Sequence, residues 1–325
     1  MKLSVLGSGS WGSALAIHFG RNGFEVFQWC REREVVESVK RMGENPLYLP
    51  GFRYPKTVSV TDSVEEAVSE ADVVFSVIPV QFTPSFWEEH KSLIASVPLI
   101  CASKGIEVKT LKTLSKRFEE IFGSLENYYV LSGPTFAREI ASGLPAAAVV
   151  ANESSEKALE MVKALNTPSF RLYASSDVPG VELGGALKNV IAIATGISDG
   201  MGLGNNARAA LITRGLHEIK KLGKALGAKE ETFYGLSGVG DLVLTCTGDL
   251  SRNRQFGLSV AKGEDFSGRQ VVEGVYTVKA VVELAKRFSL EMPISEAVYK
   301  IIYEKRRPDE VMRELLSRPV KEETL

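Results

Sequence analysis

The six residues Gly7-Ser8-Gly9-Ser10-Trp11-Gly12 carry the glycine spacing that lets a backbone turn sharply and lie against a pyrophosphate. They follow a short apolar run at 3–6 and open a helical pattern over 11–22 that stops at Gly23. A helix start offers free N–H groups and the positive end of its dipole to an anion. On its own the spacing describes a glycine-rich turn. The strand before it and the strand after it make it a dinucleotide site, with Gly7, Gly9, Ser10, Trp11 and Gly12 as cofactor-binding candidates. The second strand ends in Trp29-Cys30-Arg31-Glu32-Arg33, with no acid closing the strand itself. A guanidinium pairs with a 2′-phosphate in two-point fashion, so Arg31 points to NADPH, while Glu32 keeps NADH open. The plainer reading is the start of a solvated helix.

The other polar candidates are a few cations, one acid and several hydroxyls. Lys104 follows the strand-like 99–102 in Ser103-Lys104-Gly105, and Ser132-Gly133-Pro134-Thr135 follows the strand-like 128–131. Ligands of open parallel sheets bind at the carboxyl ends of the strands. Both segments are therefore expected on the rim that carries the glycine loop. Lys188-Asn189 stands in the small, apolar stretch Val181-Glu182-Leu183-Gly184-Gly185-Ala186-Leu187-Lys188-Asn189-Val190. An ammonium there is costly unless paired or used, and desolvation lowers its pKa towards a value suited to proton transfer. Snorkelling to the surface is the alternative. Asp241 follows the glycine-rich Leu236-Ser237-Gly238-Val239-Gly240, placed to orient Lys188 or to cap a helix. Ser251-Arg252-Asn253-Arg254 opens a helix with a hydroxyl and guanidinium suited to phosphate, or forms an ordinary serine cap. His18, His90 and His217 lie in no motif and at no ligand spacing, so neither a histidine base nor a metal is expected.

Positioning these groups requires two kinds of architecture. Strand-like segments at 3–6, 25–29, 72–78, 99–102, 128–131 and 146–150 alternate with helical ones at 11–22, 33–42, 111–122 and 155–165, the pattern of a parallel sheet. Beyond Asp177 only helical periodicity remains, over 206–222, 252–262, 275–287, 295–305 and 309–317 among others. The expected organisation is an α/β Rossmann-like domain at 1–177 and an all-helical substrate domain at 178–325, with a cleft between them. The chain of 325 residues has 39 Lys+Arg against 40 Asp+Glu, too balanced for a dedicated nucleic-acid binder. Its three cysteines form no CxxC, which excludes a disulfide framework and suits a reducing cytoplasm. No run of about 18 apolar residues predicts a membrane span, and the basic Lys305-Arg306-Arg307 reads as a solvated helix end.

Read together, the segments Gly7 to Ala14, Ser132-Gly133-Pro134-Thr135-Phe136-Ala137, Leu183 to Val190, Gly240-Asp241-Leu242-Val243-Leu244-Thr245-Cys246, Ser251-Arg252-Asn253 and Val271-Val272-Glu273-Gly274 resemble the bacterial NAD(P)-dependent glycerol-3-phosphate dehydrogenases, in family order across nearly the whole chain. The resemblance implies a Rossmann-like domain and a helical domain like the C-terminal one of 6-phosphogluconate dehydrogenase. It implies reversible reduction of dihydroxyacetone phosphate to sn-glycerol 3-phosphate, a phospholipid precursor. Carried over by motif, Lys188 is the proton donor and acceptor. Lys104, Gly133, Thr135, Asp241, Ser251, Arg252 and Asn253, with Lys188, hold the substrate. Ser10, Trp11, Arg31, Ala137, Val271 and Glu273 contact the coenzyme, joined by Lys104 and Arg252. Expected partners are a small phosphorylated triose and a second copy in a homodimer, with no nucleic acid. The rivals are a β-hydroxyacid or 6-phosphogluconate-type dehydrogenase on the same architecture and a coenzyme sensor without turnover.

Overall fold

The computed structural model describes residues 1–266, 271–319, 322 and 323. The chain forms two units. One comprises Met1–Ser103 and Leu114–Val178, the other Lys104–Thr113 and Pro179–Leu325. The sequence reading splits the chain once, after 177. The structure instead assigns the ten residues from Lys104 to the second unit, where Ile106 is fully buried in the core.

The first unit is built on strands β1 (Lys2–Leu6), β2 (Glu25–Trp29), β5 (Val58–Thr61), β6 (Val73–Ser76), β7 (Leu99–Cys101), β8 (Tyr128–Ser132), β9 (Ala146–Ala151) and β10 (Phe170–Ser175). Their order in the sheet is β10-β9-β8-β7-β6-β1-β2-β5. A small hairpin, β3 (Glu44–Asn45) with β4 (Leu49–Arg53), stands apart. The strands β1, β6, β7 and β8 are almost wholly buried and read as continuous apolar runs, as helix-covered parallel strands must. The pairing departs from all-parallel at one place, where β9 runs antiparallel to β8. The short loop and six-residue helix between them turn the chain back beside β8, so no full crossover is made. The helices are α1 (Ser10–Arg21), α2 (Arg33–Met42), α3 (Val64–Val68), α4 (Thr83–Glu89), α5 (Lys91–Ile94), α6 (Leu114–Phe122), α7 (Ala137–Ser142) and α8 (Ser155–Leu165). The helix expected from 111 begins at Leu114, because Leu111 takes a left-handed backbone, φ 61°.

The second unit is helical among its described residues: α9 (Val178–Gly200), α10 (Gly204–Ala225), α11 (Asp241–Thr247), α12 (Arg252–Lys262), α13 (Glu273–Arg287), α14 (Pro293–Tyr303) and α15 (Pro308–Leu316). A 3₁₀ turn at Glu230–Tyr234 and a π turn at Leu236–Gly240 lead into α11. By length and composition α9 passes for a membrane span, yet its apolar window is 100% buried within the molecule. A helix apolar all round is a core helix in such a setting. It carries Leu187, Val190, Ile191, Ile193 and Ile197 into the core of this unit.

Candidate active site

In the first unit the glycine loop is shaped by three different demands. Gly7 has φ +124°, a conformation that side chains rarely adopt. A Cβ on Gly12 would drive into the Gly7 carbonyl, so α1 packs tightly on the end of β1. At Gly9 a Cβ would meet no atom within 4 Å, leaving the backbone open to a ligand. The loop carbonyls are turned inward and satisfied. Gln28 donates from Nε2 to the Gly7 oxygen at 2.9 Å, and Asn45 Nδ2 and Ser13 Oγ donate to the Ser8 oxygen at 2.8 and 3.1 Å. Tyr54 OH in turn holds Gln28 Oε1 at 2.9 Å. The start of α1 has no side-chain cap and no acid in its first turn. With these carbonyls taken up and no cap on α1, the N–H groups at the helix start suit a pyrophosphate. Gln28 and Asn45 were missed at the sequence level; the period-2 pattern places Gln28 in β2 but does not mark it as a loop anchor.

The corner beyond β2 is also assembled. Ser10 Oγ donates to the Tyr48 carbonyl at 2.6 Å, and Tyr48 OH donates to Glu32 Oε1 at 3.2 Å. The same oxygen accepts Arg31 Nη2 at 2.7 Å and Nε at 3.2 Å. Arg31 is thus tied to a neighbouring carboxylate, and the sequence reading left that pairing out. Trp11 and Ala137 pack at the edge of the core of this unit. Gly133, at φ +150°, lies where a Cβ would press on the backbone of Ala148, and Thr135 Oγ1 donates to the Gly133 carbonyl at 3.0 Å. Lys104, expected on the same rim as Gly133 and Thr135, belongs to the second unit.

There Lys104 joins the two residues that chemistry singled out. Asp241 is 1% exposed and each of its carboxylate oxygens takes one ammonium: Oδ1 from Lys188 at 2.5 Å, Oδ2 from Lys104 at 2.7 Å. Lys188 also donates to Thr245 Oγ1 at 2.8 Å, and Thr245 donates to the Asp241 carbonyl at 2.6 Å. Lys188 does not snorkel; it is 7% exposed. Burial pushes its pKa down to about 8, with Lys104 adding to the fall and Asp241 opposing it. Two cations on one carboxylate leave a net positive charge in a desolvated place, suited to an oxygen that gains negative charge. Local features build this cluster. A Cβ on Gly184 would strike the Ser237 carbonyl, so the glycine lets the π turn settle on α9. That contact sits one helical turn before Lys188. Asp241 then starts α11, with Gly240 in the cap position, so its carboxylate does not cap the helix. Thr245, unassigned at the sequence level, lies one turn after Asp241; the i, i+4 spacing was the available signal.

The third group is the start of α12. Ser251 caps the helix, its Oγ accepting the Arg254 N–H at 3.3 Å. Both readings of this serine coexist, since the hydroxyl proton remains a donor. Arg252 is exposed. The Asn253 amide is oriented by Gly274, whose N–H donates to Oδ1 at 3.0 Å; Nδ2 then donates to Asn189 Oδ1 at 2.9 Å. Glu273 opens α13 next to Val271 and Val272 and lies within electrostatic reach of Arg252. Lys104, Lys188 and Asp241 are therefore joined directly, while Ser251, Arg252 and Asn253 form a second cluster tied to α9 through Asn189. His18 is buried against Thr167 Oγ1 at 2.8 Å. No group of acids, histidines and cysteines among the described residues could hold a metal.

Comparison with known proteins identifies the family. The N-terminal description of the NAD-dependent glycerol-3-phosphate dehydrogenases matches residues 2–158 and the C-terminal one residues 177–313. A glycerol-3-phosphate dehydrogenase [NAD(P)+] from Nitratidesulfovibrio vulgaris is 46% identical over 330 residues, covering 99% of this chain and 100% of that one. The crystal structure of glycerol-3-phosphate dehydrogenase from Coxiella burnetii superposes with a TM-score of 0.92 at 38% identity, over 98% of this chain and 99% of that one. D-mandelate dehydrogenase, at 14% identity and TM-score 0.62, shares the fold alone. With both halves matched in order and relatives near half identical end to end, this chain belongs to the NAD-dependent glycerol-3-phosphate dehydrogenase family.

Proposed function

We propose that the protein reduces dihydroxyacetone phosphate to sn-glycerol 3-phosphate with NAD(P)H, and runs the reverse reaction. The observation that carries this is the buried Lys188–Asp241–Lys104 cluster with its lowered lysine pKa. The bound nicotinamide supplies the hydride. Everything else falls to the residues of the chain. The outward N–H groups of Gly9, Ser10 and the first turn of α1 hold the pyrophosphate. Trp11, Ala137, Val271 and Glu273 line the coenzyme, as the family motif implies. Arg31 favours the 2′-phosphate of NADPH and Glu32 a ribose hydroxyl, and the pair fits an enzyme that accepts either coenzyme.

Lys188, as ammonium, donates a hydrogen bond to the C2 carbonyl oxygen and releases its proton there as the alcohol forms. In the reverse direction its free amine takes that proton back. Asp241 and Thr245 fix the direction of the lysine. Lys104 adds positive charge where the oxygen becomes alkoxide-like. Ser251, Arg252 and Asn253 bind the phosphate, with Gly133 and Thr135 contributing to substrate binding. Anchoring the phosphate sets the position of C2, which is how remote binding energy reaches the reacting atom. A β-hydroxyacid or 6-phosphogluconate-type dehydrogenase on the same fold would oxidise a hydroxy acid, so adding dihydroxyacetone phosphate to it would leave NADPH absorbance unchanged. A sensor has no use for a proton-poised lysine. The three cysteines are buried and form no disulfide, which fits the reducing cytoplasm we assign to it.

The test is Lys188→Met. Turnover with dihydroxyacetone phosphate should fall by at least about a thousandfold, the loss of general-acid catalysis in a desolvated site. The Kd for NADPH, read by fluorescence titration, should stay within about twofold. Turnover near that of the unaltered enzyme would remove Lys188 from the chemistry.

A further inference from the structure

One buried ion-pair network has no part in the reaction described so far. Asp199, 6% exposed at its side chain, closes α9. Its Oδ2 accepts Arg254 Nε and Nη2, both at 2.9 Å, and its Oδ1 accepts Arg208 Nε at 2.8 Å. Arg254 Nη1 reaches on to Asp249 Oδ1 at 2.9 Å, so the guanidinium is gripped from two sides. Arg254 lies directly after Ser251-Arg252-Asn253 on α12, and Asp199 lies on the same helix as Lys188.

The seam between these helices explains why such a pin is needed. Gly196 faces the Arg254 carbonyl and the Cα of Gly257. Gly257 faces the Ile193 carbonyl and the Ile197 nitrogen, and Gly200 faces Ala261. The two backbones touch almost without side chains. The close approach limits sliding, because a Cβ brought to either contact would strike the facing backbone, but it does not orient the side chains at the start of α12. Within that limit, two polar ties hold the final register of α12 on α9: Asn253 to Asn189 near the active site, and Arg254 to Asp199 further along. A slip of one residue is about 1.5 Å along a helix. It would carry the phosphate-binding residues out of step with Lys188, and errors of about 1 Å cost up to about a hundredfold in rate.

We propose that Arg254, clamped by Asp199 and Asp249, is a positioning residue that sets the axial register of the phosphate-binding end of α12 against the helix that bears Lys188. The proposal rests on the phosphate-binding reading of Ser251-Arg252-Asn253. Arg254 itself touches no reacting atom. Its guanidinium is spent on the two carboxylates, and its backbone N–H on Ser251.

The experiment compares the unaltered enzyme with Arg254→Met, which keeps the stem and removes the fork, and Arg254→Lys, which keeps the charge but grips only one carboxylate. For each, four quantities are measured: the Kd for inorganic phosphate, the Kd for NADH, and the steady-state kinetics, KM and turnover, with dihydroxyacetone phosphate and with unphosphorylated dihydroxyacetone. The expected result for Arg254→Met is a rise of about tenfold or more in phosphate Kd and in KM for the phosphorylated ketone. NADH affinity and turnover of the unphosphorylated ketone should stay within about twofold, with Arg254→Lys falling between. A merely structural role would weaken all four together, and that result overturns the proposal, as does an unchanged phosphate Kd. If Arg254→Met does not fold, Asp249→Asn decides: its carboxylate is 89% exposed, so its loss empties no core. A higher phosphate Kd at unchanged NADH Kd supports the clamp, and no change rejects it. If the unaltered enzyme binds phosphate but does not reduce dihydroxyacetone phosphate, the proposed function fails while the phosphate comparison still decides the clamp.

Discussion

A single carboxylate between two ammonium groups makes the titration of Lys188 the most informative property of this enzyme. Its pKa is lowered to about 8, chiefly by burial. In the proposed mechanism ketone reduction uses the protonated form, so kcat/KM should be level below about pH 8 and fall by about tenfold per unit above it. Alcohol oxidation uses the free amine and should rise through the same pH. Neighbouring charges then move the break in opposite senses. Asp241 raises the lysine pKa and Lys104 lowers it. Asp241→Asn should shift the break in residual activity to lower pH, and Lys104→Met to higher pH. Breaks that stay fixed in both variants would mean that another group titrates.

The adenosine corner gives a second prediction at this scale. Glu32 holds Arg31 through two nitrogens. Glu32→Gln removes a negative charge that, in the proposed reading, faces a 2′-phosphate, and it releases the guanidinium. NADPH should bind about fivefold or more tighter and NADH more weakly, because close charge complementarity dominates such selectivity. Fluorescence titration of both coenzymes reads this directly. Equal changes for the two would exclude the corner from reading the ribose.

At the scale of elements, the second unit depends on a buried acid. Glu218 of α10 accepts the N–H groups of Ile294 at 2.6 Å and Ser295 at 3.1 Å and the Ser295 hydroxyl at 2.7 Å, and so caps the start of α14. Burial outweighs these bonds and pushes its pKa up to about 7. The folded state then holds a proton that the unfolded chain has released above about pH 4.5. Stability from this group is present at low pH and is lost as pH rises from about 4.5 to about 7, on the order of 3 kcal/mol in all. Against Glu218→Gln, the melting-temperature advantage of the unaltered protein should therefore shrink across that window. A constant difference would show that folding leaves the charge of this residue alone. Glu218→Ala should cost about 2–4 kcal/mol at neutral pH, since two buried N–H groups lose their acceptor.

At the scale of the whole molecule, the path of the chain is not one domain after another. It leaves β7, places Lys104 on Asp241 and Ile106 in the helical core, and returns to the first unit at Leu114. Ile106→Ala should cost about 2–4 kcal/mol, as a buried large-to-small change does. The loss should fall on the helical unit although the residue stands among the strands in sequence. Hydrogen exchange should show faster opening in α9, α10 and α13, with the β1–β8 strands little changed. Faster exchange confined to the strands would contradict this division.

What the sequence determined by itself is what depends on near neighbours. The glycine loop, the alternation of strands and helices, the helical half, and the unusual placing of Lys188 in an apolar stretch were all legible, because turn sterics and the periods of 2 and 3.6 act over a few residues. Tertiary structure alone decided who meets whom. Lys104 and Lys188 lie 137 and 53 residues from the carboxylate they share. Glu32 captures Arg31, β9 turns antiparallel, Glu218 caps a helix 76 residues away, and Arg254 reaches Asp199 across a glycine seam. These are choices among many charged and polar partners of the same type. They are settled by which backbones can approach closely and which buried charges must be paired, and no local period in the chain records either.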